Sequence, residues 1–316
     1  MVLRGLLITL PALSITCTIW FASHLPETPQ PEPPAAQMAA STVLRAPSVY
    51  LTHGGGPFPV IGGPGHASLT AFLKAWPKSL AQQPKALLVV SGHWESDVPT
   101  VTSAPQSELI YDYYGFPPEA YQLKYPAPGS PQLADKVCSL LKAAGLECRK
   151  DAKRGWDHGV FIPLMLAYPK ADIPVVQLSL VSSLDPTLHI RMGEALAPLR
   201  DEGVAIVGSG SSFHNLPALF AAMDGGATRA GQEAVRRSKS FDEWLQHACL
   251  DPSLTYEQRC ELLAAWRKAP EAAYAHPREE HLIPLHVVLG AGKGAAGTAV
   301  FDGTAMGVKC TSVQYL

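Results

Sequence analysis

The sequence predicts an α/β fold: a single three-layer domain with a central, mainly parallel to mixed sheet flanked by helices. Three observations predict it. A continuous apolar run at 86–90 and the predominantly apolar stretches 173–180 and 204–208 read as strands buried on both faces. Stretches with helical spacing of apolar residues separate them. Several of these strands then run into a small-residue turn and a histidine, which places the active site at the carboxyl ends of the strands.

Composition sets the outer bounds. A 316-residue chain with 47% hydrophobic residues carries ample material for a sizeable core. The formal charge of −2, with lysines and arginines scattered among acids, offers no basic face for nucleic acid. Cys17, Cys138, Cys148, Cys249, Cys260 and Cys310 show no CxxC and no framework spacing. They read as free thiols in a reducing compartment, with a cytoplasmic catalytic domain.

Taken in order, residues 1–24 form a hydrophobic segment with one arginine and no acid. They read as a signal peptide, a membrane anchor or part of an organelle-targeting extension, and any membrane association would run through them. Pro11 counts against a spanning helix, and Met38-Ala39-Ala40-Ser41 offers an alternative start directly before the domain. Residues 25–47 are a Pro-rich linker, and the catalytic domain occupies 48–316.

That domain opens with a short strand, Ser48-Val49-Tyr50-Leu51-Thr52, that delivers His53 to a triple-glycine turn. The turn lacks the GK[ST] ending of a phosphate-binding loop. A helix over 67–76 leads to the strand of 86–90, which ends in Ser91-Gly92-His93-Trp94. Residues 98–131 read as an irregular aromatic segment whose rings, Tyr113 among them, wall a pocket or pack the loop down. Helical spacing over 131–144 follows, then the polar stretch Trp156-Asp157-His158 before an apolar helix over 161–167. Asp157 and His158 are neighbours in sequence, which does not require their side chains to touch. A strand at 173–180, a helix at 186–199 and a strand at 204–208 bring the chain to Phe213-His214-Asn215. Two amphipathic helices lie within 228–268, and Pro277 with Glu279 and Glu280 favours a helix start ahead of His281. Strands near 298–301 and 308–315 close the domain.

Imidazoles bind zinc, iron, copper and nickel, and three of them can hold one face of an ion while leaving other positions open. His53, His93 and one residue among Glu279, Glu280 and His281 can do this from three separate elements. The absence of HExxH argues against a zincin. His66, His189, His247 and His286 lack the strand–turn setting and read as structural.

Six ordered motifs carry a more specific signal. They are Leu51-Thr52-His53-Gly54, Ser91-Gly92-His93-Trp94, Tyr125-Pro126-Ala127-Pro128-Gly129, Trp156-Asp157-His158-Gly159, Phe213-His214-Asn215-Leu216 and Glu280-His281-Leu282-Ile283-Pro284-Leu285. In this order the chain resembles the class III extradiol ring-cleaving dioxygenases of the LigB type, in the branch similar to DOPA 4,5-dioxygenase. The resemblance implies a non-haem Fe(II) enzyme that opens a catechol beside its two hydroxyls with both atoms of O2. It implies His53, His93 and His281 as metal ligands, although protocatechuate-type members use a glutamate as third ligand and Glu280 adjoins His281. It further implies His214 as the acid/base residue, or a further metal ligand, and His158 as a second catalytic and substrate-binding residue. Tyr113 joins His158 and His214 as a substrate-binding candidate. Zn(II) occupying the same site would make a hydrolase instead, and a non-catalytic metal-binding relative is the third alternative. The partners expected are a small catechol and O2.

Overall fold

The computed structural model describes residues 45–223, 225–294 and 296–316. The hydrophobic segment, most of the Pro-rich linker and Cys17 lie outside the described residues. No described helix is long and apolar enough to cross a membrane.

Eight strands form one sheet: β1 (Ser48–Thr52), β2 (Ala86–Ser96), β3 (Thr100–Thr102), β4 (Arg149–Asp151), β5 (Val175–Val181), β6 (Val204–Gly210), β7 (Thr298–Ala305) and β8 (Val308–Tyr315). Their order across the sheet is β4-β3-β5-β2-β6-β1-β8-β7. The central four, β5, β2, β6 and β1, are parallel. Antiparallel pairings of β3 with β5 and of β8 with β1 extend the sheet on its two sides. It is therefore mixed, with a parallel centre, as the apolar runs predict.

The alternation of side chains along β2 shows why both faces must be apolar. Leu87 and Val89 pack into one core, with Trp76 and Phe161 from two covering helices. Leu88 and Val90 enter a second core, with Val137 and Met192 from two others. Period-2 projection divides the run between the layers. The helices responsible are Ala67–Ser79 and His158–Ala167 on one side, and Pro131–Ala143 and Pro186–Leu196 on the other. Arg200 is buried and has no carboxylate partner among the described residues; its guanidinium donates to the carbonyls of Ala46, Ala291 and Tyr315 at 2.7, 2.8 and 2.9 Å.

Three expectations need correction. The segment 98–131 is not wholly irregular, because β3 lies in it and pairs at the sheet edge with β4. The helix expected from Pro277 begins later, at Ile283–Gly292 with Pro284 in its first turn. Residues ahead of it stay non-helical because the His281 carbonyl accepts from the Tyr50 hydroxyl at 2.7 Å and from the Ser211 amide at 3.1 Å. A carbonyl held by the sheet in this way is tied to partners outside a helix. The thiols are not all free: Cys138 and Cys148 form a disulfide, since packing of helix Pro131–Ala143 beside β4 brings their Cα atoms to 5.1 Å. Cys249, Cys260 and Cys310 are free.

Candidate metal centre

Small residues at the strand ends create the space that the site fills. At Gly92, in β2, a Cβ would stand 2.9 Å from the Glu280 carbonyl oxygen and 3.3 Å from the His281 Cα. At Gly210, which ends β6, a Cβ would stand 2.1 Å from the His281 carbonyl oxygen. Glycine at both positions lets the 280–281 backbone lie directly on the sheet edge. His93 follows Gly92 and lies within β2 rather than beyond it, where the pairing with β5 shifts register between Val90 and Glu95. His53 follows β1, and its amide donates to the Gly210 carbonyl at 3.0 Å, extending the β1–β6 ladder by one bond.

The three imidazoles converge. His93 Nε2 is 3.3 Å from His53 Nε2 and 3.1 Å from His281 Nε2. The opposite nitrogen of each ring faces an acceptor. His53 Nδ1 lies 2.9 Å from Ser209 Oγ, whose hydroxyl proton goes to the Gly159 carbonyl, so the imidazole donates to that oxygen. His281 Nδ1 donates to Glu280 Oε1 at 3.1 Å. His93 Nδ1 faces Asp112 Oδ2 at 3.3 Å. Their hydrogen bonds assign the protons of His53 and His281 to Nδ1, and the Asp112 carboxylate beside His93 Nδ1 favours the same tautomer electrostatically, which leaves three Nε2 lone pairs facing one another. Without a cation between them such lone pairs repel, so the donor set fits a metal ion.

Electrostatics agree with that assignment. Burial, reinforced by neighbouring imidazoles, holds His53 and His281 well below the ordinary histidine range. Burial and His158 push His93 down to about 3, although Asp112 opposes the shift. All three are therefore neutral at physiological pH, the form that ligates metals.

Two further histidines flank the three. His158 begins helix His158–Ala167, and its ring centroid is 4.0 Å from that of His93. Its Nδ1 and its backbone amide both donate to Asp112 Oδ1, at 2.8 and 2.9 Å. His214 stacks on His281 with ring centroids 3.4 Å apart and planes 11° from parallel, and its Nδ1 faces Glu280 Oε1 at 3.2 Å. Tyr113 stands edge-on to His158 at 5.7 Å, but its hydroxyl donates to the Ala120 carbonyl at 2.5 Å, so it offers a ring wall. Asp157 turns away from His158 to accept from Ser91 Oγ at 2.7 Å and from Gln177, and it pairs with Arg154 at 3.2 Å.

All the histidines singled out by sequence thus meet in one place. Sequence reading missed Asp112 and the bridging part of Glu280. The one available signal was a lone acid among aromatics, in Tyr111-Asp112-Tyr113-Tyr114. His66, His189 and His286 have backbone partners and stay out of the site: His66 Nε2 accepts from the Gly55 amide at 3.0 Å, His189 Nε2 from the Val181 amide at 3.0 Å, and His286 Nε2 donates to the Leu263 carbonyl at 2.9 Å.

Residues 47–308 match the family described as the catalytic LigB subunit of aromatic ring-opening dioxygenase. The chain belongs to the LigB family. Among its relatives is the 4,5-DOPA dioxygenase extradiol of Beta vulgaris, 46% identical over 222 residues, covering 70% of this chain and 78% of the relative. Dioxygenase tasH of Hapsidospora irregularis is 44% identical over 263 residues and covers 80% of each chain. The crystal structure of an uncharacterized protein from Escherichia coli K12 superposes with a TM-score of 0.68 at 31% identity, covering 86% of this chain and 100% of the other. These relatives place the protein in the DOPA dioxygenase-like branch of the LigB family. A LigB-type enzyme is an oxidoreductase that opens aromatic rings, and the histidine cluster fits the metal dependence of the family.

Proposed function

We propose that this LigB-type enzyme is an Fe(II)-dependent extradiol dioxygenase that opens a catechol of the DOPA or dihydroxyphenyl class. The observation that carries the reading is the set of three converging Nε2 atoms, each with its Nδ1 turned to an acceptor. His53, His93 and His281 would hold the metal. His281 is preferred to Glu280 as third ligand because its Nε2 stands 3.1 Å from His93 Nε2; Glu280 Oε1 already faces His281 Nδ1 and His214 Nδ1, while its buried Oε2 makes no hydrogen bond among the described residues. The bound ion would lower the pKa of a coordinated catechol hydroxyl and bring the ring and O2 together.

The remaining steps fall to the chain's own side chains. His214, one-fifth exposed, stands where it can take the second phenolic proton and return it. His158, with Nδ1 committed to Asp112, presents Nε2 as its remaining polar atom for the bound substrate. Tyr113, edge-on to His158, walls the ring on that side. Zn(II), with its preference for nitrogen ligands, would occupy the same three nitrogens without supporting oxygen chemistry.

Oxygen uptake with a panel of catechols, after anaerobic reconstitution with Fe(II), tests the reading. The expected outcome is stoichiometric O2 consumption with appearance of a yellow ring-opened semialdehyde, restored by Fe(II) and not by Zn(II). Fe(II)-loaded protein that consumes no oxygen with any catechol would refute it.

A further inference from the structure

Each of the two carboxylates beside the centre touches two histidines rather than one. Asp112 takes the His158 Nδ1 and amide on Oδ1, at 2.8 and 2.9 Å, and faces His93 Nδ1 with Oδ2 at 3.3 Å. Glu280 receives His281 Nδ1 at 3.1 Å and His214 Nδ1 at 3.2 Å, both on Oε1. In each pair one histidine points Nε2 at the converging centre and the other flanks it. The duplication arises from unrelated parts of the chain, a loop after β3 and the turn before the helix Ile283–Gly292.

We propose that Asp112 and Glu280 are paired positioning residues, each fixing on one carboxylate the tautomer of a metal-facing histidine and of a substrate-side histidine. The inference rests on the metal assignment above and extends it to how ligand and acid/base residues are oriented together. A carboxylate accepts hydrogen bonds and donates none, so His158, His281 and His214 carry their proton on Nδ1, and the charge of Asp112 beside His93 Nδ1 favours the same tautomer there. All the Nε2 atoms that face the site are then bare, whether meant for the ion or for a substrate proton. A ring that tautomerised would place an N–H where a lone pair is needed. The loop that carries Asp112 is held in register for this task. The Ile110 amide donates to the Trp156 carbonyl at 2.7 Å and the Trp156 amide to the Glu108 carbonyl at 2.8 Å. Asp112 and His158 therefore approach from two strips of backbone already laced together.

Asp112→Asn separates this reading from a merely structural one. The amide oxygen can stay with His158, where two donors await it, which turns the amide NH2 toward His93 Nδ1. That ring must then accept at Nδ1 and carry its proton on Nε2, facing the metal position. Glu280→Gln meets the same conflict between His281 and His214. Zn(II) affinity of the purified metal-free protein, measured by competition with a chromophoric chelator, should fall roughly 10- to 100-fold in each variant. His247→Ala, which removes an exposed histidine of the helix Arg229–Leu250 paired with Asp251, should leave Zn(II) affinity at the wild-type value.

Long-range 1H–15N correlation spectra of the metal-free proteins read the tautomers directly. In wild type, His93, His158, His214 and His281 should all show protonated Nδ1, and His93 should shift to protonated Nε2 in Asp112→Asn. The wild-type spectrum alone tests the inference if a variant fails to fold. Nε2–H tautomers in the wild type, or variants that bind Zn(II) as wild type does, would overturn it. A catechol panel that gives no turnover would count against the dioxygenase reading while leaving the tautomer and zinc results standing. Full metal content in His93→Ala would instead overturn the ligand assignment beneath both.

Discussion

Gly92→Ala is the smallest change that should disable the centre without touching a ligand. The added methyl would meet the Glu280 carbonyl oxygen at 2.9 Å, the His281 Cα at 3.3 Å and the Glu280 carbonyl carbon at 3.4 Å. All three are backbone atoms, so no rotamer change relieves the contact. Retreat to an ordinary separation of 3.4 Å moves the carbonyl by about 0.5 Å, the difference between 3.4 and 2.9 Å. That carbonyl precedes His281, whose Nε2 stands 3.1 Å from that of His93. Functional constellations tolerate about 0.5 Å, and a misplacement of about 1 Å can cost about 100-fold. We therefore expect kcat/KM for ring opening, and Zn(II) affinity, each to fall about tenfold. Overpacking of this kind costs about 1–3 kcal/mol, which for a domain of this size is a Tm lower by about 2–5 °C. Metal titration, oxygen uptake and thermal unfolding of the same preparation provide the three readings. Wild-type metal affinity and turnover in Gly92→Ala would refute the claim that this close approach seats His281.

Three further outcomes follow from features away from the centre. Arg200→Met leaves the carbonyls of Ala46, Ala291 and Tyr315 buried without their donor, and should destabilise by about 3–5 kcal/mol in urea unfolding, with metal content unchanged. Burial holds His189 neutral, with its pKa pushed down to about 4, while the unfolded chain takes up a proton from about pH 6.5. Its contribution is therefore complete above pH 6.5 and is lost as pH falls toward 4; wild type should lose about 3 kcal/mol more than His189→Gln over that window in pH-dependent denaturation. Alkylation of unfolded, unreduced protein should leave Cys138 and Cys148 unlabelled and label Cys249, Cys260 and Cys310, as read by peptide mass analysis.

The layered core was legible because a strand buried on both faces is apolar at most of its positions. That constraint exposes β2, β5 and β6 and gives no purchase on β3 or β4. Arg149–Asp151 is a polar edge strand of three residues, and Thr100–Thr102 sits within an aromatic stretch without a periodic run. The helix before His281 was misplaced for a related reason. Pro277, Glu279 and Glu280 satisfy local start signals, but the His281 carbonyl is already held by Tyr50 and Ser211 from the sheet. A tertiary partner overrode a local preference. The Cys138–Cys148 bridge was hidden too, because only the packing of a helix beside an edge strand brings those two residues together.

At the centre, the legible and illegible parts divide along the same line. His53 and His93 announce themselves because one follows β1 directly and the other sits in β2 just past the end of its apolar run, so fold and chemistry are written in one stretch of sequence. His281 needed a family resemblance to be preferred over Glu280. What favours it in the geometry is His281 Nε2, 3.1 Å from His93 Nε2, while Glu280 Oε1 faces two Nδ1 atoms. Asp112 lies in an aromatic loop, and its importance depends on the pairing of Leu109 with Trp156, which no local pattern encodes. Residues proposed to hold a metal can thus be found from where the apolar runs of the strands give out. Those that orient them are found only when separate segments are seen side by side, and Gly92 belongs with the second group: its requirement for a missing side chain comes from Glu280 and His281, far along the chain.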